Sequence, residues 1–269
     1  PKKYQKEITH PQAIETVQLF IPFQGASAVQ KLYVLVSLDA TRGNILHLST
    51  NYTQHQTGDS LRYSYKGNTE PTMHHRDIVQ KVDMREAQFL RRSQFDEIQY
   101  GSAVLKRNGK GAILRPVITA HGHFRILKIR YPDVKTHIIS HECFLRGAII
   151  TAWADQFRQQ QGELWFVEEE ISDSNADTPW HFKGTTYHGW WQNQWQRWEQ
   201  GNNCKMVCLL TGASLERGAN VSLATSRCFI TWLTDQHDFT QSALLSAGRV
   251  TQMLTSLALK YNESLTPSC

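Results

Sequence analysis

The chain has 269 residues and a mass of 30.9 kDa, with 40% apolar and 20% charged side chains. That is globular composition, which excludes a disordered chain and leaves room for one large domain or two small ones. The net charge of +5 is unevenly placed: residues 1–135 carry 20 basic and 11 acidic side chains, and residues 136–269 carry 9 and 13.

No run approaches 18 uninterrupted apolar residues, so no spanning helix is predicted. The start, Pro1-Lys2-Lys3-Tyr4-Gln5-Lys6, has no apolar segment behind it and predicts no signal peptide; the missing Met marks a processed end or an excerpt of a longer protein. Cys143, Cys204, Cys208, Cys228 and Cys269 are odd in number and form no CxxC pair. They predict reduced, mostly buried thiols in a cytoplasmic protein, with Cys204 and Cys208 as a weak zinc pair.

In chain order, residues 1–30 read as a lead-in. Lys31 to Asp39 is β-branched and aromatic and stops at a carboxylate, which predicts a buried central strand. Arg42-Gly43-Asn44 is a turn, and Ile45 to Tyr52 returns as the second arm of a hairpin. Residues 53–112 are polar and read as an insertion, with helical spacing only over about 74–100. Pro116 to Arg130 is a helix, Lys135 to Glu142 a strand, Phe144 to Gln160 a helix and Leu164 to Val167 a strand. Trp191, Trp195 and Trp198 fit one helix face, and Lys205–Leu210 and Cys228–Leu233 read as strands. Ser242 to Asn262 is a long last helix. Alternating strands and helices predict an α/β fold with a mixed sheet.

Asp39 sits at a strand end, where open α/β sheets place ligands, although an aspartate there also closes its own turn. Glu142 follows a second apolar strand. If the two strands are neighbours, the carboxylates converge and offer hard oxygen ligands for Mg²⁺ or Mn²⁺. Glu142 could instead cap the next helix. His141 is a candidate base, and Arg146, one turn on, could meet a phosphate. Glu168, Glu169 and Glu170 read as a solvated acidic loop. Segment 76–130 holds 12 basic and 5 acidic residues, which suits a polyanion. Arg91, Arg92, Lys106, Arg107 and Lys110 are its expected phosphate contacts, on double-stranded DNA. P-loop, GxSxG and strand-to-helix GxGxxG motifs are absent.

Three stretches resemble bacterial insertion-sequence transposases with an RNase H-like DDE catalytic domain. Leu38 to Tyr52 is similar to that family's first-acid hairpin. Arg115 to Phe124, Ser140-His141-Glu142 and Leu145 to Ala148 are similar to its helix and second-acid strand, where the family pattern is roughly Asp-x-Asp-Ser-Gly-x-Arg-Ala. Cys228 to Asp235, with the helix reaching Asn262-Glu263, is similar to its last strand and helix. The resemblance implies an RNase H-like domain over 31–265, with the insertion at about 53–112 and a tail at 266–269.

It further implies Mg²⁺-dependent phosphodiester cleavage and strand transfer, in a protein able to form a homo-oligomer. Asp39 and Glu142 would then be metal ligands, and Glu263 the third catalytic acid ahead of Glu199 or Glu169. The pattern's two aspartates fall on Ser140 and Glu142, and the acid expected in the last helix falls near Gln252. These departures point to the alternative of a catalytically degenerate, domesticated relative that binds DNA or a protein.

Overall fold

The computed structural model describes residues 10–54, 77–91, 111–173, 178–212 and 218–265. The first half contains strands β1 (Ala13–Gln24), β2 (Val29–Asp39), β3 (Ile45–Thr50) and β4 (Tyr52–Thr53), helix α1 (Ile78–Arg91), strand β5 (Ala112–Ile113) and helix α2 (Pro116–Arg130). The second half continues with β6 (Thr136–Ser140), α3 (Cys143–Ala152), α4 (Ala154–Arg158), β7 (Glu163–Glu170), β8 (His181–His188), β9 (Asn193–Gln200), β10 (Asn203–Thr211), α5 (Ala224–Thr234), α6 (His237–Thr240) and α7 (Ala247–Leu265).

Among the described residues, eight strands form one mixed sheet in the order β3-β2-β1-β6-β7-β10-β9-β8, and β4 and β5 make a separate pair. The parallel strands β1, β6 and β7 are its middle, and antiparallel strands extend it on both sides. Side-chain alternation divides the core between the two faces. One face packs Val17, Val34, Val36, Ile138 and Val207 against Phe229 and Leu233 of α5 and Val250 and Leu254 of α7. The other packs Ile14, Leu35, Ile139, Phe166 and Trp195 against Val82 of α1, Phe124 of α2, and Leu145 and Ile149 of α3. The fold is therefore α/β, with helices on both faces of a mixed sheet.

The expected strands over 31–39, 45–52, 135–142, 164–167 and 205–210 are present within a few residues, as is helix 116–130. Three expectations are corrected. The lead-in contains β1, the strand between β2 and β6. Its period-2 apolar set Val17, Ile21 and Phe23 is buried, but Pro22 argues against a central strand. The structure resolves that conflict: β6 pairs only with Ala13–Thr16, so among the described residues the half of β1 that carries Pro22 is laddered to β2 alone.

The segment Cys228–Leu233 is helical, not extended. A six-residue apolar run carries no period of its own, and the buried Ser226, Phe229 and Leu233 mark one helical face. The tryptophan segment, finally, is a turn followed by β9. Gly189 and Gln192 take φ of 75° and 51°, and Trp195 and Trp198 pack on opposite faces of the sheet.

Candidate functional site

Asp39 and Glu142 are not on adjacent strands, because β1 lies between β2 and β6. Nor do they share an end of the sheet. Asp39 pairs with Ile14, and Ile14 with His137, at the start of β6. Glu142 comes five residues after His137, roughly 16 Å further along at about 3.3 Å per residue. The strands are antiparallel, so two apolar runs that each end in an acid place those acids at opposite ends.

Asp39 closes its own turn. Its Oδ1 accepts from the backbone N–H groups of Thr41 at 2.9 Å and Arg42 at 3.2 Å. Glu263, in the exposed last turn of α7, belongs to the Asp39 end, since its neighbour Asn262 bonds both backbone groups of Ile45. Glu142 is fully buried at the start of α3 and makes no capping bond; the Cys143 thiol donates to its Oε1 at 3.3 Å. Arg146 lies over the Trp191 ring, 5.8 Å from the centroid. Arg92, Lys106, Arg107 and Lys110 lie outside the described residues, as does the side chain of Arg91, whose backbone ends α1.

The acids expected in a solvated loop are instead paired on β7. Glu168 meets Arg85 at 3.4 Å, Glu170 meets Lys81, and Glu169 meets Arg227. Glu199 is held by Arg197 at 2.9 Å and Lys183 at 3.3 Å. Cys204 and Cys208 are four residues apart on one strand, about 13 Å, which is too far to share an ion. Burial pushes the Cys208 thiol up to about 12.

A buried polar cluster lies under the N-terminus of α5. The helix opens on Leu223, which has no side-chain oxygen to accept its first N–H groups. Two carboxylates from the sheet do so. Glu15 on β1 accepts from Ser226 N–H and Ser226 Oγ, both at 2.9 Å, and from Thr225 N–H at 3.4 Å. Glu169 on β7 accepts from Leu223 N–H at 3.1 Å and holds the Arg227 guanidinium. Their negative charge also suits the helix dipole. Glu15 is 2% exposed, and burial raises its carboxyl above the usual value against the opposing pull of the Thr225 and Ser226 bonds.

Beside Glu169 on β10, Lys205 is fully buried. It donates to Ala219 O at 2.5 Å and Val221 O at 2.8 Å, and its Nζ is 4.5 Å from the Trp180 ring centroid. These bonds fix the segment that leads into α5. Burial lowers the Lys205 ammonium to about 8.

The opposite face uses histidines. Thr16 Oγ1, Ser37 Oγ, His123, Ser49 Oγ and His47 form a chain with links of 2.6, 2.8, 2.9 and 3.0 Å. Burial drives His123 well below its ordinary pKa and lowers His47 to about 4. His141 Nε2 meets Glu86 Oε1 at 3.1 Å, and Asn193 donates to the same oxygen at 3.2 Å. His188 Nδ1 meets Asp83 at 2.5 Å. These contacts dock α1 on the sheet. Gly189 is required there: a Cβ would lie 2.2 Å from Glu86 Oε2 at a φ of 75°.

The arrangement can clamp α5 and α1, but it does not present three open carboxylates. Among the described residues, no three His, Cys, Asp or Glu side chains converge as ion ligands. Glu15, Lys205 and Arg227 were not among the expected site residues. The signal for Glu15 was a single acid inside an alternating apolar stretch; Lys205 and Arg227 gave none. Comparison with family models, with curated proteins and with solved structures finds no match. None of the helices among the described residues is long and apolar enough to cross a membrane.

Proposed function

We propose that the chain is a transposase-related, RNase H-like domain that binds double-stranded DNA without cleaving it. The positions of the acids carry this reading. A two-ion phosphodiester reaction holds its ions about 3.5–4 Å apart between converging carboxylates. Asp39 and Glu142 are separated along the sheet by several times that distance, and Asp39 is engaged by its own turn. The residues present do not fit the Mg²⁺ or Mn²⁺ pair that the resemblance implies.

The fold is compatible with the family reading. An antiparallel run β3-β2-β1 continues into parallel β6 and β7 with helices on both faces. The α5 N-terminus lies over that parallel middle, where Glu15 and Glu169 serve as helix acceptors. DNA as the partner is supported by the basic first half of the chain.

A duplex-binding titration run beside a cleavage assay with Mg²⁺ and Mn²⁺ tests the proposal. Salt-sensitive binding with intact DNA is expected. Cleavage that Asp39→Asn or Glu142→Gln abolishes would overturn the non-cleaving reading and restore those residues as ligands. No binding at low salt would overturn the DNA reading.

A further inference from the structure

We infer that the outward face of α2 is the surface that meets the phosphate backbone; this rests on the DNA-binding reading above. Helix α2 carries Arg125, Lys128 and Arg130 and no acid, and Arg115 immediately precedes it. Opposite charges three or four residues apart stabilise a surface helix, and α2 offers its arginines no acid at that spacing. Lys128 is engaged, donating to Pro132 O at 2.9 Å and lying 5.6 Å from the Trp153 ring centroid. Arg115, Arg125 and Arg130 are exposed, and none of them is in an ion pair among the described residues.

Two further features of the same face are unexplained by solvation. Ile129 is 73% exposed and Ile126 is 38% exposed, which is unfavourable in water but suits contact with sugars and thymine methyl groups. Gly122 lies on the outward face in mid-helix, and a Cβ there would meet nothing within 4 Å. Alanine would fit and would favour the helix. Glycine at that point leaves the helix backbone open to close approach by a partner.

The face is about 22 Å long at 1.5 Å per residue. A duplex presents one negative charge per about 1.7 Å of its axis, so cations at both ends of the face reach phosphates of one bound segment. The sheet-facing side of α2 buries Ala120, His123, Phe124 and Leu127. The helix is thus fixed on the body of the protein, and binding need not order it first.

The test uses the full chain and a fluorescein-labelled duplex, read by anisotropy from about 50 to 200 mM salt. Four proteins are compared: wild type, Arg125→Gln with Arg130→Gln, Arg91→Ala with Arg92→Ala, and Gly122→Ala. The Arg125/Arg130 variant should bind roughly tenfold more weakly at low salt, and its log–log salt slope should fall by about two. Gly122→Ala should raise the melting temperature by about 1–3 °C and still weaken binding severalfold, a combination that a purely structural glycine does not give.

If the wild type binds and only the Arg91/Arg92 variant loses affinity, the DNA reading stands and α2 is the wrong surface. Poly-glutamate binding as tight as the duplex, lost in the Arg125/Arg130 variant, would assign α2 to an acidic protein and overturn the inference. A wild type that does not bind the duplex overturns both.

Discussion

The two faces of the sheet bury apolar clusters of similar size but differ in how they accommodate polar groups. On the α5 and α7 face, buried ionisable groups are held by backbone dipoles: Glu15 and Glu169 accept helix N–H groups, and Lys205 donates to two carbonyls. The α1, α2 and α3 face buries the acids Glu86 and Glu142 but adds histidines pushed toward neutrality by burial, among them His123 and His137. An ion can be buried where fixed dipoles replace water. An imidazole can be buried by giving up its proton instead. The neutral imidazoles lose stability as pH falls, whereas the raised Glu15 carboxyl gains it and the Lys205 ammonium, lowered to about 8, gives up its charge as pH rises.

Acid should separate the faces most strongly. Burial lowers His137 to about 3 and His123 well below 6.5, so both are neutral in the fold while they can charge in the unfolded chain. Their contribution is complete above about pH 6.5 and is lost as pH falls through that value toward the folded pKa. Between pH 7 and 5 His137 alone costs roughly 2 kcal/mol, and His123 adds to the loss in the same direction. Glu15 has the opposite sign: its raised carboxyl makes its contribution grow as pH falls. Urea unfolding at pH 7 and pH 5 should therefore show a large net loss, and His137→Phe should remove roughly 2 kcal/mol of it. A flat profile would dissolve the distinction.

The α5 face is best probed at Glu15. Glu15→Ala leaves the Ser226 N–H and hydroxyl buried without their acceptor and should cost about 3 kcal/mol. Glu15→Gln keeps an acceptor and removes the desolvated charge, so its stability at pH 7 should lie within about 1 kcal/mol of the wild type. Equal losses in both variants would mean that the charge itself holds the helix. The smallest effect is expected at Asp39. Asp39→Asn retains an acceptor for the Thr41 and Arg42 N–H groups and should lower stability by no more than about 1 kcal/mol, with duplex affinity unchanged. A large loss of affinity would return Asp39 to a functional role.

The pattern of residues was enough to find the α/β class, five of the sheet's strands and helix α2, because each has a long apolar period or a clear stop. It also found the basic first half of the chain, and it located Asp39 and Glu142 at strand ends. Which end of the sheet each strand runs toward is a property of pairing, not of local sequence. Only the tertiary structure shows that β1, with its discouraging Pro22, lies between β2 and β6 and turns the two acids apart. The same holds for the α5 clamp. Glu15, Glu169, Lys205 and Ser226 come from three strands and a helix, and no periodicity within any one of them marks the others. Side-chain periodicity is local and therefore readable, whereas the meeting of charges depends on register and strand order, which are fixed only when the whole sheet closes its hydrogen bonds.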